Sequence, residues 1–175
     1  VYFRPMRATL SLFLSCLLIA CGQQSADQAS TIEQVAPSLA VDLAGHGFPL
    51  TVELGDAATL GVDSPTVRWN EDMGQLELHA GERFSILVTE ESGDIARLKA
   101  DLERDQLRTS AIIEEQPDRL IWRSTFPDED IVFVHFYRVI QVDGRSFVVQ
   151  DDDRSRFSEA DVSRMVAAVR TQQPV

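Results

Sequence analysis

Between residues 131 and 140 the chain reads Ile-Val-Phe-Val-His-Phe-Tyr-Arg-Val-Ile, apolar at both odd and even positions. Successive side chains of a strand point to opposite faces, so a strand that is apolar on both must be covered on both. This one segment demands a layered fold with a sheet between two covering layers. The surrounding runs are shorter and polar on one side. Residues 50–54, 66–69, 76–80 and 84–88 alternate as strands, the second and third flanking a turn-rich loop over 70–74. Residues 112–113, 120–122 and 147–149 return to strand composition, and Asp143-Gly144 is the strongest hairpin signal in the chain.

Two segments change period. Over 94–106, Ile95, Leu98 and Leu102 form one apolar stripe while Arg97, Lys99, Asp101, Glu103 and Arg104 cover the rest, which predicts a surface helix. Near 158–171, Ser158-Glu159-Ala160-Asp161 has capping-box spacing ahead of Val162, Met165, Val166 and Val169, which predicts a C-terminal helix. The expected class is α+β: an antiparallel sheet of about seven or eight strands with two helices packed on it. An α/β/α sandwich fits that order. The run Tyr137-Arg138-Val139, the Asp143-Gly144 hairpin, Val148-Val149 and the last helix together resemble the C-terminal half of MOG1/PsbP-like domains. That resemblance covers roughly the last forty residues and implies a domain that docks onto larger assemblies, with no chemistry attached.

The front of the chain is an address. Arg4 and Arg7 precede an uncharged run over 10–20, too short to span a bilayer but right for a secretory h-region. Met6 followed by Arg7 would make a natural start, with residues 1–5 as an upstream extension. Leu18-Ile19-Ala20-Cys21 resembles the lipobox of bacterial lipoproteins. The resemblance implies cleavage after Ala20, a diacylglycerol thioether on Cys21 and a further acyl chain on its freed amine, several chains being enough for stable anchoring. Gly22 after the cysteine implies, for a Gram-negative source, sorting to the periplasmic face of the outer membrane; the alternative is the outer face of the inner or plasma membrane. The expected organisation is a signal peptide over 1–20, a lipidated N-terminus and polar tether over 21–45, and one globular domain over 46–175.

Composition then limits what the domain can do. Acidic residues outnumber basic ones 28 to 16, for a formal charge of −12, which excludes a nucleic-acid partner held through phosphates. Both cysteines, Cys16 and Cys21, lie in the front segment, leaving the body without a thiol. His46, His79 and His135 fall in no metal-ligand spacing, and no nucleophile elbow or phosphate-binding glycine loop is present. His79 shares a parity with Gln75 and Glu77 and is expected on a polar face, and His135 is expected as a satisfied core histidine. No catalytic residue and no cofactor are predicted.

Two acidic clusters stand out, Asp128-Glu129-Asp130 and Asp151-Asp152-Asp153. A three-strand meander would bring them to one end of the sheet, making Asp128, Asp130, Asp151, Asp152 and Asp153 weak candidates for a hard cation. Arg154 and Arg156 are the competing neutralisers. The favoured reading is a membrane-anchored, non-catalytic accessory domain with a protein partner in the cell envelope. The alternative is a carrier for a small apolar ligand, lined by Trp69, Trp122, Phe126 and Phe136.

Overall fold

The computed structural model describes residues 38–62, 64–127 and 129–172. In chain order these hold β1 (Ser38–Asp42), β2 (Leu50–Asp56), a single turn α1 (Ala57–Leu60), β3 (Thr66–Asn70), β4 (Gln75–His79), β5 (Ser85–Glu90), α2 (Ile95–Arg104), β6 (Thr109–Gln116), β7 (Arg119–Thr125), β8 (Val132–Val142), β9 (Arg145–Asp151), α3 (Glu159–Ala168) and β10 (Val169–Thr171). The class is α+β. Seven strands form one antiparallel sheet in the order β3-β4-β5-β9-β8-β7-β6, and a second antiparallel sheet has the order β1-β2-β10.

The doubly apolar segment becomes β8, between β9 and β7, and it is covered on both faces. Its even-numbered side chains Val134, Phe136 and Ile140 enter the main core with Val52 and Leu54 of the small sheet and Val162, Met165 and Val166 of α3. On the odd-numbered face Tyr137 joins a second, smaller core of Leu120 and Trp122 under Ile95, Leu98 and Leu102 of α2. One outer layer is therefore a helix. The other mixes α3 with a second sheet, where the sequence pattern allowed a plain α/β/α sandwich.

Two expectations change in detail. The polar tether was placed over 21–45, but β1 occupies Ser38–Asp42 and pairs with β2 from Ser38↔Asp56 to Asp42↔Thr51. Its burial alternates exposed and half-buried, the pattern of an edge strand, so its composition resembles a linker. The C-terminal helix ends at Ala168, and Val169, counted in its apolar stripe, turns into β10 and pairs with Val52. The seven-stranded sheet is the expected antiparallel sheet, and the three-stranded sheet is added to it.

Local signals that rest on backbone chemistry hold. Asp143 and Gly144 both have positive φ, 53° and 74°, as a type I′ turn requires, and Val142 pairs with Arg145 across it. The Ser158 side chain accepts from the Asp161 backbone N–H while the Asp161 carboxylate accepts from that of Ser158, closing the capping box. Asp94 caps α2 by accepting from the Arg97 N–H at 2.9 Å. Just before it, Gly93 lies against the sheet so closely that a Cβ would sit 2.4 Å from Val139 Cγ2 and 2.9 Å from the Tyr137 hydroxyl. That approach sets where α2 begins over the open face of the sheet.

Candidate functional site

Helix α2 covers only the β7–β8 side of that face. Where it stops, the sheet continues across β9, β5, β4 and β3, and among the described residues no helix packs on that part of the face. The step between helix and bare sheet is a cleft of about 520 Å³. Leu98 and Leu102 of α2, Leu87 of β5 and Trp122 of β7 give it an apolar wall and floor. Gln75, Arg108, His135, Gln150, Asp153 and Arg154 bring polar groups to the same space.

His135 is the most constrained of these. It is only 6% exposed, lies across from Trp122 in the register of β7 and β8, and has its ring 5.4 Å from that indole and stacked 6.3 Å from Phe133. Its Nδ1 is 2.8 Å from Asp151 Oδ2. The other carboxylate oxygen of Asp151 accepts from the Phe136 backbone N–H at 2.7 Å. With Asp151 ionised both oxygens accept, and a neutral ring that donates from Nδ1 keeps Nε2 as an acceptor. The expectation of a satisfied core histidine holds for Nδ1. Nε2 makes no hydrogen bond among the described residues, and the ring lines the cleft.

Beside the cleft, Glu77 has a fully buried side chain. Gln75 and Glu77, expected with His79 on a polar face, share that face but are buried, and the Ser85 hydroxyl meets His79 Nδ1 at 2.7 Å. Asn70 donates to Glu77 Oε1 at 2.8 Å, Arg68 pairs with Oε2, and Gln75 and the Arg154 guanidinium reach Oε1 at 3.4 and 3.5 Å. The hydrogen bonds from Asn70 and Arg68 outweigh the cost of burial and hold the Glu77 carboxyl down at about 2, against an ordinary value of 4.5. Parity was right and burial was not, because Arg154, which closes over this face, lies 77 residues away.

The acidic clusters do not assemble as the meander allowed. Burial pushes the Asp152 carboxyl up, but hydrogen bonds from the Arg154 side chain and backbone outweigh it and the net direction is down. Arg154 Nε reaches Asp152 Oδ1 at 2.7 Å. Asp151 is taken by His135 and Phe136, Asp153 faces the cleft, and Asp130 is exposed beyond β7. Among the described residues no group of three or more His, Cys, Asp or Glu is placed to hold a metal. Strand register sends these neighbouring aspartates to different partners, and Arg154 is the neutraliser of Asp152. Arg156 lies elsewhere, lining a shallow groove with Phe157 and Val134. Asp128 and Cys21 lie outside the described residues.

Of the four aromatic side chains expected to line a ligand cavity, Trp122 lines the cleft, while Phe136 borders it in the chain but sends its ring into the main core on the opposite face of β8. Trp69 packs on Phe48 with its ring 6.3 Å away, and Phe126 meets Phe133 edge-on at 6.0 Å. Sequence reasoning missed Gln75, Gln150 and Arg108 as cleft residues. No local signal marks them, since each reaches the cleft through sheet pairing or through the loop that follows α2.

The chain matches no family model, no curated protein and no solved structure. The site is read from its own geometry.

Proposed function

We propose that this is a lipid-anchored bacterial envelope protein whose folded domain binds a small ligand in the cleft beneath α2 and does no chemistry on it. The observation that carries the reading is the cleft itself: about 520 Å³ with an aliphatic and indole lining and a few convergent polar groups, within the size and make-up of small-molecule sites. Buried polar atoms aimed into such a space are placed for recognition. The Cys21 lipobox supports the anchor, and the absence of a nucleophile motif beside His135 supports binding over catalysis.

The two tryptophans provide the test. Trp122 lines the cleft and Trp69 does not, so their indole N–H resonances in a ¹H–¹⁵N spectrum are signal and control. Titration of the full chain with neutral 3-phenylpropan-1-ol should shift the Trp122 resonance saturably and leave that of Trp69 in place. Filling the space with Leu87→Phe and Leu98→Phe should abolish the shift. Equal, unsaturable drift of both resonances would contradict the reading.

One observation favours a second reading, a protein-docking domain. Phe126, Ile131 and Val132, all at the β7–β8 connection, are 37–39% exposed, and neighbouring exposed apolar side chains mark interaction surfaces. Phe126→Asp should then abolish capture of an envelope partner while leaving the Trp122 titration unchanged.

A further inference from the structure

The charge and hydrogen-bond character of the cleft limits what it can hold. This inference rests on the binding reading above and concerns the ligand's class. Both guanidiniums in the lining are already matched. Arg108 Nε donates to Asp105 Oδ2 at 2.8 Å, and Arg154 is held by Asp152 and Glu77. An anionic ligand would meet guanidiniums whose charge is already balanced.

Three groups in the lining offer acceptors. His135 Nδ1 is engaged by Asp151, so in the neutral ring with its proton on Nδ1 the Nε2 of this 6% exposed residue is an acceptor. Gln75, 8% exposed, donates through its amide nitrogen to Glu77, so its carbonyl oxygen is the free end. Asp153 lines the cleft with a carboxylate that makes no ion pair among the described residues. Trp122 adds an indole to the lining, the ring system that attracts cations best. A formal charge of −12 over the chain draws cations toward any such opening.

We propose that the cleft takes an organic cation, an alkyl- or arylammonium with an apolar body. The body lies on Leu87, Leu98 and Leu102. The ammonium donates to acceptors on the sheet side, with Asp153 supplying the countercharge and Trp122 its indole.

Three probes of one shape separate charge from shape: 3-phenylpropylamine, 3-phenylpropan-1-ol and 3-phenylpropionate, each titrated at neutral pH into the full chain in zwitterionic detergent. Trp122 indole shifts give the Kd, and Trp69 reports partition into detergent. The amine should bind about tenfold more tightly than the propionate, the alcohol falling between. Asp153→Asn should weaken the amine by roughly two- to fivefold, the range for a solvent-exposed ion pair, and leave the alcohol unchanged. A propionate that binds as well as the amine would overturn the cation assignment while the alcohol's saturable shift kept the cleft reading intact. An amine preference untouched by Asp153→Asn would overturn it too, since the charge would then be read outside the cleft. If none of the three moves Trp122, the cleft reading falls and this inference falls with it.

Discussion

Glu77 keeps its charge in a buried position because Asn70, Arg68, Gln75 and Arg154 all donate to it. Its folded-state pKa, about 2, lies below its ordinary value. A depressed carboxylate pKa contributes stability that is present above about 4.5 and is lost as pH falls toward 2. Denaturation midpoints should therefore drop across that window, and Glu77→Gln should flatten the drop while lowering stability at pH 7 by about 2 kcal/mol, the scale of a hydrogen bond to a charged group. Asp152 and Asp161, also held low, leave a residual slope. A midpoint profile in the Gln variant that overlays wild type would show that the charge contributes nothing. None of this was legible at Glu77, since alternation in β4 gave its face and nothing local announced the arginine that closes over it. His135 was more legible: its place in the doubly apolar run marked it as buried, but Asp151, the residue that orders it, sat in an acidic cluster that looked like a solvated run.

At the scale of elements, features written in neighbouring residues were readable and those made by distant pairing were not. The Asp143-Gly144 turn, the Ser158 capping box and the Ile95-Leu98-Leu102 stripe all depend on residues within a few positions of one another, and all are in place. β1 and β10 exist only because β2 pairs with both, so their composition reads as linker and helix end. Two substitutions test the packing that frames the cleft. Met165 of α3 is fully buried and its sulfur lies 3.4 Å from the Ser85 backbone nitrogen. Met165→Ala should cost about 2–5 kcal/mol by thermal or chemical denaturation, and an unchanged curve would put α3 outside the core. Gly93→Ala drives a methyl into Val139 and Tyr137 and should cost about 1–3 kcal/mol. It should also move the Trp122 resonance, because α2 has to lift off the sheet. A stable variant with an unmoved Trp122 signal would show that Gly93 does not set the helix position.

For the whole molecule, the account joins an anchor to a binding domain. The proposed anchor rests on a contiguous motif, whereas the cleft depends on β4, β5, β7, β8 and β9 meeting under one helix, which no stretch of sequence spells out. Cys21→Ser removes the proposed acylation site, and cell fractionation should find the variant in the soluble periplasm or as an uncleaved precursor. Migration and fractionation like wild type would refute the anchor without touching the cleft. The claim that the cleft is a ligand site, and not loose packing, is tested most directly by native mass spectrometry of the full chain released gently from its own membranes. Wild type should carry a small molecule of defined mass that is missing from the Leu87→Phe, Leu98→Phe variant purified in parallel. If the cleft is only a packing flaw, both proteins will fly at bare mass, the filled variant will be the more stable of the two, and the 3-phenylpropyl probes will bind neither.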